Sequence, residues 1–122
     1  MGLFQFGDFL LASGKKSNFK IECDALTQED WEAVAAIIAP KLPKFGIVIG
    51  VPRGGLMFAE ALRKYQDKWC STFLYVDDVW TTGNSMLRIV NQRAPWSGVV
   101  LFARGPVPDH VHALFQLNED LQ

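Results

Sequence analysis

Polar and apolar positions change their period along this chain, and each change marks an element. Phe19, Ile21 and Cys23 alternate with Lys20, Glu22 and Asp24, the two-residue period of a strand with one buried face. With the apolar residues from Phe9 and the polar "SGKKS" between, residues 9–23 are predicted to form a hairpin with a basic tip. Thr27 before "QED" is a helix-capping pattern, and Trp31, Val34, Ala35 and Ile38 recur at helical spacing until Pro40 and Pro43 end the segment. From Phe45 the pattern changes again. "FGIVIG" reads as a strand buried on both faces, "GGLMFAEALRKY" as a helix, "TFLYVDDV" as a second buried strand and "SMLRIVNQR" as a second helix stopped by Pro95. "GVVLFAR" and "VHALFQL" follow as third and fourth strands. Strands alternating with helices imply right-handed crossovers and a mainly parallel sheet in a three-layer α/β/α fold, with the hairpin as a small hood. Ligands of such a sheet sit beyond the carboxyl ends of its strands.

Composition narrows the picture. At 122 residues the chain is expected to be one domain, with the hood at about 9–23 and the core at about 27–122. A 49% hydrophobic and 20% charged composition excludes a disordered chain. Net charge of -1 removes any general pull toward nucleic acid or anionic lipid, so neither is expected as a partner. Cys23 and Cys70 have no CxxC spacing and are expected as buried free thiols. No run approaches a membrane span, and the first residues lack the signal-peptide and myristoylation patterns, so a cytoplasmic protein is expected. His110 and His112, on either side of Val111 near the last strand, are assigned no chemistry. Trp31, Trp69, Trp80 and Trp96 are expected in the core or lining a crevice.

The chemistry lies in "FLYVDDVWTTGNSM", Phe73 to Met86. At the carboxyl end of a buried strand, Thr81, Thr82, Gly83, Asn84 and Ser85 bring hydroxyls and bare backbone N–H groups to the start of a helix, a cup for a phosphate monoester. No lysine stands in a GxxxxGK[ST] frame, which disfavours an ATPase or GTPase. Asp77 and Asp78 adjoin apolar Val76 and Val79, so at least one carboxylate needs partners to offset its desolvation: vicinal sugar hydroxyls, or Mg²⁺ held through water. The preceding strand ends in "GVPRGG", where Val51, Pro52, Arg53 and Gly54 form a second glycine-rich turn with a cation to meet another phosphate. Alone, such a turn is more often a simple connection. Two of them on consecutive parallel strands describe one crevice, with two acids between.

These motifs resemble the type I phosphoribosyltransferases, and "FLYVDDVWTTGNS" is similar to that family's signature for 5-phosphoribosyl 1-pyrophosphate (PRPP). The resemblance implies that Asp77 and Asp78 hold the ribose hydroxyls and serve catalysis, that Val79 and Thr81 to Ser85 surround the 5-phosphate, and that Val51 to Gly54 meet the pyrophosphate. Trp80 replaces a smaller aliphatic residue, which is expected to narrow the site. "FGDFLLASGKKSNF" is similar to the amino-terminal hairpin of orotate phosphoribosyltransferases, which implies phosphate contacts for Lys15 and Lys16 and a place beside the base for Phe19. Arg104 in "LFARGP" stands where that family binds the orotate carboxylate.

The implied reaction displaces pyrophosphate from the ribose by a nitrogen of the base, with Mg²⁺ as cofactor and PRPP and a base such as orotate as partners. The same family carries a further strand and a long flexible loop with a catalytic lysine before its PRPP strand, where this chain has only "RKYQDKWCST". A sensor that binds PRPP or a nucleotide without catalysis is therefore the alternative, and an interaction module that keeps only the fold is a third reading. The missing segment also leads to an expected homodimer. The strand "FGIVIG" would present an unpaired edge for the hairpin or a second copy to cover.

Overall fold

The computed structural model describes residues 2–10 and 16–117, the side chains of 8–10 and 16–18 excepted. Strands β1 (Phe4–Leu10) and β2 (Lys16–Ile21) form an antiparallel hairpin with an irregularity between Phe6 and Phe9. It begins at Phe4, before the expected Phe9, and its second strand ends at Ile21, short of Cys23. Helix α1 (Gln28–Ile38) opens on a capping box, in which Asp30 N–H donates to Thr27 Oγ1 and Thr27 N–H to Asp30 Oδ2. Trp31, Ala35 and Ile38 form its buried stripe, as the spacing predicts.

The core sheet has the order β3 (Ile47–Gly50), β4 (Phe73–Trp80), β5 (Trp96–Ala103), β6 (Val111–Gln116), with all neighbours parallel. Helix α2 (Leu56–Leu62) follows β3 and the single turn α3 (Asn84–Leu87) follows β4. The face made by Val48, Leu74, Val76, Val99 and Leu101 packs on α1 and α2 through Trp31, Ile38, Phe58 and Leu62. Tyr75, Val100 and Val111 pack on Met86 of α3 across the other face. Three layers result, as expected.

Three expectations need correction. The strand at Ile47–Gly50 is an edge, not a doubly buried strand: only Val48 is fully buried and Ile47 is 40% exposed. The predicted second helix is one turn: Ile89 N–H already bonds back only three residues, to Met86 O, and Asn91 N–H donates to Tyr75 Oη, 3.0 Å away. Nor are both crossovers right-handed. The steps from β3 to β4 and from β4 to β5 run the same way across the sheet, but α2 and α3 lie on opposite faces, so the two steps have opposite hands. A strand on the outer side of β3 would reverse the hand of the step that contains α2. Here α2 keeps its face, and residues 63–72 return straight to β4.

The outer edge of β3 has its own cover. Arg63 Nη1 donates to Val48 O at 2.8 Å and Gln66 Nε2 to Gly46 O at 2.7 Å, while Asp67 N–H takes Phe45 O at 2.8 Å. Side chains that follow α2 thus cap the carbonyls expected to await a hairpin or a second copy. The hairpin instead sits over β5, with the Phe4 and Phe102 rings 5.7 Å apart. Trp69, expected in the core or a crevice, is 87% exposed on the short return segment. Among the described residues no helix is long and apolar enough to cross a membrane.

Candidate active site

Both glycine-rich turns leave the sheet at the carboxyl ends of adjacent strands, and small residues let the first press against β4. A Cβ on Gly55 would meet Asp77 Cα at 2.9 Å, and one on Gly54 would stand 2.6 Å from Asp78 Cγ. The turn after β3 therefore rests directly on the acid pair of β4. Val51 is buried beneath it, Pro52 and Arg53 are exposed at its tip, and the peptide bond between those two is cis.

Asp77 is 7% exposed and Asp78 is half-buried. Asp77 Oδ1 accepts from Asp78 N–H and Asp78 Oδ1 from Val79 N–H, both at 2.8 Å, which sets the two carboxyls side by side. Burial, followed by a side-chain hydrogen bond and charge repulsion from Asp78, pushes the Asp77 carboxyl up to about 8. A site that holds a proton for want of positive charge suits a cation or sugar hydroxyls. The Cys23 thiol is also pushed up, mainly by burial and then by the Asp78 charge, so it is no nucleophile. Cys70 is half-buried, with Sγ 3.5 Å from Lys44 O, and both cysteines are free.

Beyond Asp77, Val79 to Met86 and Arg88 line a concavity of about 240 Å³. Gly83 has φ +85°, and a Cβ there would meet Trp80 Cε2 at 2.9 Å. Trp80 is 4% exposed and forms the floor under Gly83 instead of narrowing the mouth. With α3 one turn long, attraction for an anion falls to the backbone N–H groups, the hydroxyls of Thr81, Thr82 and Ser85, and Arg88. The motif reading missed Arg88, which caps α3 by donating from its backbone N–H to Asn84 O. Its signal was the spacing of three and four residues from Ser85 and Asn84.

Arg104 follows β5 and is 5% exposed. Its guanidinium lies 4.0 Å from the Phe19 ring centroid, and Nη1 and Nη2 each reach Phe19 O at 3.4 Å. The structure thus brings together the two residues expected at the base. Lys15 lies outside the described residues, and Lys16 is placed by its backbone alone, paired with Leu10. His110 stands edge-on to Trp96, with ring centroids 4.3 Å apart.

No family model matches the chain. The orotate phosphoribosyltransferase of Methanocaldococcus jannaschii is 31% identical across an alignment that covers 82% of this chain and 72% of the relative. Among solved structures, the orotate phosphoribosyltransferase of Aeropyrum pernix aligns over 94% of this chain and 88% of its own, with TM-score 0.72 and 22% identity. Leishmania donovani UMP synthase aligns over 94% of this chain with TM-score 0.75 and 22% identity, although the chain spans only 34% of that protein. The two structures share the fold, and the archaeal sequence carries the relationship further: the chain belongs to the orotate phosphoribosyltransferase family of type I phosphoribosyltransferases.

Proposed function

We propose that the chain transfers the phosphoribosyl group of PRPP to orotate. The observation that carries this reading is the close approach of the "GVPRGG" turn to Asp78, which sets that turn against the acid pair next to the Thr81–Ser85 loop. Thr81, Thr82, Gly83, Asn84 and Ser85, with Arg88, hold the 5-phosphate. Asp77 and Asp78 hold the ribose hydroxyls, while Val51 to Gly54 and the Arg53 guanidinium meet the pyrophosphate. Phe19 and Arg104 hold the base, Arg104 through the carboxylate. Lys15 and Lys16 approach the pyrophosphate from the hood.

The acid pair fits Mg²⁺ held through water. No group of three or more His, Cys, Asp or Glu side chains among the described residues could cage an ion directly, so two adjacent carboxylates leave most positions to water and substrate oxygens. When bound there, Mg²⁺ supplies electrostatic stabilisation of the leaving pyrophosphate. The protein supplies alignment: the cup fixes the ribose, and the hood and Arg104 fix the base nitrogen against its carbon.

Pyrophosphate release from PRPP and Mg²⁺, measured with orotate and with other bases, tests the proposal. Release that requires orotate is expected. PRPP binding without release from any base would leave a sensor in its place.

A further inference from the structure

β4 and β5 stop pairing at Trp80 and Ala103, and the loops that follow carry the phosphate cup and Arg104. Past that pair, no ladder keeps them in step. Three contacts do so, and all of them centre on Trp80 or its neighbour. Arg104 N–H donates to Trp80 O at 2.7 Å, and Trp80 Nε1–H donates to Pro106 O at 3.0 Å. Gly105 lies so close to the cup that a Cβ there would stand 2.7 Å from Thr81 O. On its other side the indole underlies Gly83, and Val107 packs on the cluster that contains the ring.

We propose that Trp80 is a positioning residue that joins the phosphate cup to the loop carrying Arg104: the ring supports the cup and the indole N–H ties the second loop to it. The inference rests on the phosphoribosyl-transfer reading for its kinetic consequence, though not for its structural one. Transfer requires the ribose carbon, placed by the cup, to face a base nitrogen placed from the Arg104 side, and small misplacements of either are costly in rate. A smaller aliphatic side chain at this position would have neither the ring area nor the donor. Trp80 makes one rigid body of two loops.

Two substitutions separate the ring from the N–H. Trp80→Phe keeps an aromatic floor under Gly83 and removes the donor, leaving Pro106 O without its partner; Trp80→Leu removes both. For Trp80→Phe, KM for orotate should rise about tenfold while KM for PRPP stays within about twofold. Amide hydrogen exchange at Arg104 should quicken by a similar factor, with Leu87, which donates to Gly83 O, unchanged. Trp80→Leu should raise both KM values and quicken exchange at both amides. Equal changes in the two KM values for Trp80→Phe, or no change at the Arg104 amide, would overturn the proposal. If Trp80→Leu does not fold, Trp80→Phe decides alone. If the wild-type chain shows no transfer, the functional reading fails, and the exchange pattern still judges the tie.

Discussion

At the scale of single residues, the acid pair is readable in solution. A free aspartate ionises near pH ~4, and Asp77 in the folded chain at about 8, so between those values the folded form holds a proton that the unfolded form has lost. This group's contribution to stability is therefore complete below about pH 4 and is lost as pH rises through about 8. In metal-free buffer Tm should fall over that range, and Asp77→Asn should flatten the fall. Identical pH profiles for the two proteins would exclude Asp77 as the source. The glycines of the first turn make a second test. In Gly54→Ala the new methyl displaces only the Asp78 carboxylate, a side-chain end that can swing aside, so Tm should change little while PRPP affinity drops about tenfold. In Gly55→Ala the methyl meets the Asp77 backbone, and the fold itself should be destabilised. Calorimetry of PRPP binding beside thermal melts separates the two cases; equal Tm losses would mean that Gly54 is only a packing residue. Gly83→Asp is a poorer probe than the motif suggests. Its side chain would strike Trp80 from a strained backbone before reaching a phosphate.

At the scale of elements, the return from α2 to β4 shows how a short chain manages an open edge. Arg63 donates from Nη1 to Val48 O while its Nε holds Glu60 Oε2 at 2.9 Å, so one side chain anchors the end of α2 and covers β3. Arg63→Ala should cost about 1.5–3 kcal/mol, the usual worth of a charge-assisted hydrogen bond, and should promote self-association through the uncovered strand. Denaturant melts and light scattering check both; a loss below about 0.5 kcal/mol with unchanged scattering would mean that the edge needs no cap. The one-turn α3 makes a complementary point. Apolar residues at helical spacing across 85–93 announced a full helix, but Ile89 N–H turns to Met86 O, three residues back, and Asn91 N–H goes to the Tyr75 hydroxyl on the neighbouring strand.

At the scale of the whole molecule, the question is whether one chain completes a site. The expected reason for a homodimer, a bare β3 edge, is weakened by Arg63 and Gln66, which cover the carbonyls of Val48 and Gly46. If that edge is the only driving force, sedimentation at micromolar concentration should give a monomer that transfers phosphoribosyl groups by itself. A stable dimer in Arg63-intact protein would place the interface elsewhere, with the hood and its exposed Phe6 the next surface to examine.

What the sequence determined by itself was local in origin. The capping box at Thr27, the β-branched runs, the glycine turns and the order Asp-Asp-x-x-Thr-Thr-Gly each act through neighbours a few residues away, and each is visible in the printed residues. Only the tertiary structure decided the rest, because those contacts join residues far apart in sequence. Gly54 meets Asp78 across 24 positions, Arg104 meets Phe19 across 85, and Trp80 meets Pro106 across 26. The hand of a crossover is of the same kind. Spacing tells that a helix follows a strand, whereas the face the helix takes depends on which buried surface of the finished sheet remains for it to cover.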